Sequence, residues 1–191
     1  HHLLRRQRQM CIRDRCKLAT SAYGHGITTT PLQLAKAYAI IANGGYKIKP
    51  TLIKKEKNLK RGEQIIAKEN SKIINEILRK IVTSEEGTAN LANIAGYEIA
   101  GKTGTAQKSI KGKYSKKKIN TFASIFPISS PKYVLIVLLD EPKLSETYIY
   151  EYNDGKKRKI IGTPFNTAGW TSVEVAKNII EKIGPILAIK Y

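Results

Sequence analysis

Lys102, Thr103, Gly104 and Thr105 stand in a row, and their side-chain types are those that hold an anion. Lys102 supplies a fixed positive charge, and Thr103 and Thr105 supply short hydroxyl donors. Gly104 has no Cβ, so a ligand can lie against the backbone there. The quartet follows the strand-like Gly96–Gly101 and suits an extended edge strand facing an anionic substrate. A solvated lysine at a strand end has the same local appearance, so the surrounding elements decide between the two readings.

Those elements are legible as periodicities. Thr30 and Pro31 open a helix, because a hydroxyl can cap it and proline at the first turn forfeits no needed donor. Leu34, Ala35, Tyr38, Ala39, Ile41 and Ala42 make its apolar stripe, and Asn43-Gly44-Gly45 ends it. A second helix is expected from about Asn70, its core face formed by Ile73, Ile74, Ile77, Leu78, Ile81 and Val82. Strands are expected over Tyr97–Gln107, Thr121–Phe126 and Tyr133–Leu139, with a lysine-rich connection over Ser109–Asn120. The stretch Ser145–Gly162 has no clear period and reads as either a hairpin or a flexible loop. A last helix is expected over Thr171–Ile183, stopped by Gly184-Pro185. Helices, an antiparallel meander and a closing helix make an α+β protein, an antiparallel sheet flanked by helices.

Composition narrows the function classes. Residues 1–15 hold five arginines and the chain's one methionine, whereas the rest is basic almost wholly through lysine. That segment is read as a foreign, adapter-like leader, and residues 16–191 as a domain whose own N-terminus is missing. The whole chain has 34 basic and 15 acidic residues, net +19; without the leader's five arginines and Asp14, 29 and 14 remain, net +15. The lysines fall in short runs, Lys54–Lys60, Lys111–Lys118 and Lys156–Lys159, without interleaved stacking aromatics. They read as solvated loops, and no nucleic-acid partner is expected. Cys11 and Cys16 are the only cysteines, and His25 is the only histidine beyond His1 and His2. A disulfide framework, a thiolate metal site and a metal enzyme are therefore not expected, and no cofactor is. No apolar run approaches the roughly 18 residues of a membrane span.

Four separated blocks carry a family resemblance. They are Ser21-Ala22-Tyr23-Gly24-His25-Gly26-Ile27 running into Thr30–Ala35 and Ala42–Gly45; Glu86-Gly87-Thr88-Ala89; Ile99–Ala106 with its K-T-G triplet; and Ala168-Gly169-Trp170. In this order they resemble the class B penicillin-binding proteins, most of all the division-specific peptidoglycan D,D-transpeptidases. The resemblance covers nearly everything after the leader and implies the penicillin-binding protein/serine β-lactamase-like fold, incomplete in this chain. It also implies a serine enzyme that attacks a D-Ala-D-Ala stem peptide, forms an acyl-enzyme and passes the acyl group to an amine. β-Lactams imitate that peptide terminus. On this resemblance Lys102 provides attraction and shapes the proton network, and Thr103 and Thr105 seat the terminal carboxylate beside Gly104. The backbone N–H of Thr105 is then half of the oxyanion hole. Tyr23, Gly24 and Gly26 would form a turn at the cleft rim; His25 receives no role. The parent is expected in the cytoplasmic membrane with its domain on the outer side, working with the cell-division machinery.

The resemblance also exposes a gap. The formal S-x-x-K matches, Ser115–Lys118 and Ser129–Lys132, both follow K-T-G, whereas the family places its nucleophile well before it; no S-x-N occurs. Both matches are rejected, and the chain by itself is expected to be inactive. Other readings of the same blocks are a β-lactamase or D,D-carboxypeptidase of the same fold, or a non-catalytic penicillin- or polymer-binding module.

Overall fold

The computed structural model describes residues 21–22, 29–53, 62–110, 113–152 and 158–190. Helix α1 (Pro31–Ala42) ends where Asn43-Gly44-Gly45 predicts, and the reason is backbone geometry. Gly44 and Gly45 both take the left-handed conformation, and the Gly45 N–H donates back to the Ile40 carbonyl at 2.9 Å. A Cβ on Gly45 would lie 1.9 Å from the Ile66 carbonyl oxygen, so a side chain has no room there. The expected stripe is half-buried, and the one buried residue of α1 is Ile40, outside it. The helix touches β2, β3 and α2, so its contact arc is wider than one stripe.

Helix α2 (Lys68–Thr83) corrects the expected core face. Leu78 and Val82 are buried and Ile74 and Ile81 half-buried, but Ile73 and Ile77 are each 53% exposed. Each residue turns a helix by about 100°, so Ile77 sits that far round from Leu78 and outside the contact arc. A polar residue, Ser71, occupies the arc instead; its hydroxyl donates to the Ile41 carbonyl in the last turn of α1.

Strands β1 (Ala100–Ile110), β2 (Lys113–Phe126) and β3 (Tyr133–Asp140) form an antiparallel sheet in the order β1-β2-β3. The expected first strand starts three residues late, because Gly96 and Glu98 adopt positive φ and keep 95–97 in a turn. The expected connection over Ser109–Asn120 is for the most part strand: β2 runs back to Lys113 and pairs with β1 as far as Ile110. Lysines make a poor strand signal, but the Lys108 ammonium here lies 2.6 Å from Asp140 and 2.8 Å from Glu141, and Lys117 lies 3.0 Å from Glu141. Asp140 and Glu141 at the end of β3 thus pair with two lysines of the hairpin, one on each strand, and the segment is strand rather than the loop expected, although Lys116 and Lys117 stay exposed.

Alternation distributes the sheet between two cores. The row Ala100, Ile125, Val134 faces α1 and α2, where it meets Leu78, Tyr38, Ile41 and Ile74. Ile99, Phe122, Phe126 and Val137 face the other way, onto Val173, Ala176 and Ile180 of helix α3 (Ser172–Lys190) and onto the 3-10 turn Asn90–Ala92. This is the α+β arrangement expected, an antiparallel sheet with helices on both faces. The stretch Ser145–Gly162 contains a hairpin of β4 (Ile149–Glu151) and β5 (Lys159–Ile161). Its Tyr150 is buried; the hydroxyl donates to the Trp170 carbonyl at 2.8 Å and the ring meets Trp170 edge-on at 5.2 Å.

Gly184-Pro185 does not stop α3, which runs to Lys190. A Cβ on Gly184 would lie 2.0 Å from a ring carbon of Tyr97, so the glycine serves close packing rather than termination. Pro185 removes one helical hydrogen bond, and the extra turn returns Leu187 to the core.

A polar cluster around the buried Glu174 and Lys177 joins α3 to Tyr148, just before the hairpin. Glu174 Oε1 accepts from the Tyr148 hydroxyl at 2.9 Å and from Asn178 Nδ2 at 3.4 Å, with Lys177 Nζ 3.9 Å away. Glu174 Oε2 is buried with no partner among the described residues. Burial pushes this carboxyl above its ordinary range, against the opposing pull of Lys177. A raised acid binds its proton more tightly in the folded chain, so its contribution to stability is present at low pH. It is lost as pH rises from the ordinary carboxylate range through the raised value. Glu174→Gln is therefore expected to melt above the parent at pH 7 and to converge with it near pH 4. Thermal melts across pH 4–8 check this; a constant offset at all pH values would refute it.

Candidate active site

K-T-G lies on β1, the outer strand of its sheet among the described residues, where alternate backbone groups have no strand to pair with. Pleating puts Thr103 and Thr105 on one face and Lys102 and Gly104 on the other. The Lys102 side chain is exposed and folds back along its own strand; Nζ donates to the Thr103 carbonyl at 2.7 Å and lies 3.5 Å from its hydroxyl. The Thr103 hydroxyl lies 2.9 Å from that of Thr88. Thr105 Oγ1 accepts from the Ala168 backbone N–H at 2.9 Å. That bond takes one of the two acceptor lone pairs of the Thr105 hydroxyl and leaves its proton available to a ligand. Around Gly104 the space is open: a Cβ would meet only the Thr121 carbonyl oxygen, at 4.0 Å.

The two hydroxyls face a cleft of about 340 Å³. Gly87, Thr88 and Leu91 form one wall, and Tyr152, Thr167, Gly169 and Trp170 form the other. The walls touch. A Cβ on Gly169 would lie 2.6 Å from the Thr88 carbonyl oxygen, so glycine is what lets the Ala168–Trp170 turn close on Thr88. Three blocks, 86–88, 102–105 and 168–170, thus converge on one place despite their separation in sequence. Tyr23, Gly24, His25 and Gly26 lie outside the described residues.

The model for the penicillin-binding protein transpeptidase domain matches residues 9–166. The chain belongs to this transpeptidase family. It is 30% identical over 187 residues to a Caulobacter vibrioides protein named "Probable peptidoglycan D,D-transpeptidase FtsI", an alignment covering 93% of this chain and 29% of the relative. A Buchnera aphidicola (subsp. Baizongia pistaciae) peptidoglycan D,D-transpeptidase FtsI is 36% identical over 135 residues, 68% of this chain and 23% of that protein. Among solved structures, the transpeptidase domain of Burkholderia pseudomallei penicillin-binding protein 3 superposes with a TM-score of 0.71 at 26% identity, covering 90% of this chain and 47% of that one. The chain spans less than a third of these curated relatives' length. The fold expected from the four sequence blocks is the fold of this transpeptidase family, present here in part.

Several residues in and behind this cleft carry no local sequence signal. Thr88 stands fifteen residues before its partner Thr103, a distance with no periodic meaning, and only its place in the Glu86–Ala89 block marks it. Tyr152 lies in the aperiodic stretch. Asn120 was read as the end of a lysine-rich connection, yet it is wholly buried directly across the sheet from Thr105. The formal S-x-x-K matches have structural occupations: the Ser129 hydroxyl bonds to the Glu98 carboxylate, and Lys118 Nζ donates to the Asn166 carbonyl at 2.9 Å.

Proposed function

We propose that this chain is the C-terminal part of a serine D,D-transpeptidase domain that cross-links peptidoglycan stem peptides through an acyl-enzyme, and that β-lactams acylate the same enzyme. The observation that carries the reading is the pair of hydroxyls, Thr103 and Thr105, held by two other family blocks at the edge of a cleft. The hydroxyl protons and the Lys102 charge seat the terminal carboxylate of a D-Ala-D-Ala peptide. A serine from the part of the domain preceding this chain attacks the penultimate carbonyl, and the terminal D-Ala leaves with the proton that the serine gives up. The acyl group then passes to an amine of a neighbouring stem peptide, whose proton returns to the serine. The Thr105 N–H stabilises the oxyanion in both halves, where losing one such donor costs about 3 kcal/mol. The parent works on the outer side of the cytoplasmic membrane with the division machinery. No helix among the described residues is long and apolar enough to cross a membrane.

The test is covalent labelling with fluorescent penicillin. The complete reading frame from the source locus is expected to label at a serine upstream of residue 16, and this 191-residue chain alone is expected to stay unlabelled. Labelling of this chain, or none of a complete frame that carries S-x-x-K, would overturn the reading.

A further inference from the structure

We infer that Asn120 and Lys118 are positioning residues that clamp the 166–171 turn, so that Ala168 keeps its N–H on the Thr105 hydroxyl and the hydroxyl proton stays turned to the ligand. The inference rests on the proposed reading of Thr105 as a carboxylate-seating residue. Asn120 and Lys118 stand two apart on β2 and therefore on one face of the sheet. Asn120 spends its two amide hydrogens on the two ends of the turn, one on Asn166 Oδ1 at 2.9 Å and one on Thr171 Oγ1 at 2.8 Å. Thr171 in turn donates its own proton to the Thr167 carbonyl at 2.9 Å. The Lys118 ammonium takes the remaining handle, the Asn166 backbone carbonyl. Asn166 is thus held by its side chain and its backbone, and Ala168 sits between the two fixed ends.

The location makes this more than packing. Asn120 is 0% exposed and pairs in register with Thr105 on one side and Leu139 on the other. Its Oδ1 is buried without a partner among the described residues. A leucine would fill similar space without leaving an acceptor unsatisfied, so the amide is costly as packing and is explained by what its two donors hold. If the turn drifts, the Ala168 N–H leaves Thr105 Oγ1, and the hydroxyl can rotate to spend its proton elsewhere. The loss would appear at Thr105 even though neither Asn120 nor Lys118 touches the ligand.

A double-mutant cycle on the complete enzyme separates positioning from simple stabilisation. The readout is the second-order rate constant for acylation by penicillin, with a thermal melt on every variant. Asn120→Leu is expected to slow acylation about tenfold, the equivalent of one lost hydrogen bond. Lys118→Met is expected to slow it about threefold, consistent with a half-buried contact to a single carbonyl. In a Thr105→Val background, where no hydroxyl remains to orient, each is expected to change the rate by less than about twofold. Equal factors in both backgrounds would overturn the inference, as would a Thr105→Val enzyme that acylates at the parental rate. Should Asn120→Leu fail to give a cooperative melt, the Lys118→Met cycle alone decides. A parent that is not acylated at all would overturn the underlying reading instead, a result distinct from either.

Discussion

Lys102→Ala in the complete enzyme is expected to slow acylation by penicillin about 10–10²-fold, the loss of one charge-assisted hydrogen bond to the ligand carboxylate. Its melting temperature is expected to move by less than about 2 °C, as for other surface substitutions. The two expectations follow from one geometry. The ammonium is exposed, and its contacts are the Thr103 carbonyl at 2.7 Å and, more distantly, the Thr103 hydroxyl at 3.5 Å. An exposed carbonyl can turn to water when the lysine goes, so the fold loses little. A ligand carboxylate has no such substitute, because the cationic charge beside Thr103 and Thr105 would be gone and only neutral donors would be left. Lys102→Arg should recover part of the rate, since the charge is kept while its position changes. Pre-steady-state acylation and a parallel melt check the pair. A Lys102→Ala enzyme that acylates at the parental rate would remove the lysine from the mechanism; one that fails to fold would assign it a structural role.

The place of the K-T-G quartet on a strand was legible because the strand signals lie beside it, whereas its residue types alone leave the anion-holding role a proposal. Helix α1 was legible for the same reason, with Pro31 and Gly44-Gly45 acting on their own backbone. What escaped depended on partners far away in sequence. Residues 113–118 read as a lysine-rich loop, although they pair with β1 across the sheet and Lys117 meets Glu141 beyond the end of β3. Gly184-Pro185 read as a stop, although Gly184 is shaped by Tyr97, 87 residues earlier. Ile73 and Ile77 share the apolar period of α2, but which arc faces inward is decided by the sheet, and Ser71 is admitted because α1 ends beside it. The polar support of the cleft follows the same rule. Thr88, Asn120 and Ala168 acquire their roles only when 86–88, β2 and 168–170 are brought against β1, and nothing in their immediate neighbours announces it.

Two glycines in β1 look alike in sequence and should behave oppositely. A Cβ on Gly101 would lie 2.6 Å from the Ala123 carbonyl oxygen and 2.7 Å from two ring carbons of Phe122. Neither can yield cheaply: Ala123 is backbone in the paired strand, and Phe122 is 0% exposed in the core beneath α3. Gly101→Ala must therefore push β1 off β2, at about 1–3 kcal/mol or more for an overpacked site. The same shift displaces Lys102 and Thr103, so acylation should fall together with stability. Gly104→Ala meets nothing nearer than 4.0 Å. It should leave stability unchanged or raise it by about 0.5–1 kcal/mol, because the unfolded chain loses freedom when a strand glycine gains a side chain. Its methyl would stand on the Lys102 face, opposite the hydroxyls, and on the proposed reading a peptide held by both Lys102 and the hydroxyls must cross this strand edge beside it. Acylation should then drop about tenfold, equivalent to about 1.4 kcal/mol of lost binding. Urea unfolding and acylation rates measured on both variants give a two-way comparison. If Gly101→Ala were no less stable than Gly104→Ala, the close approach of β1 to Phe122 would be wrong. If Gly104→Ala acylated at the parental rate, the ligand would not lie along this strand.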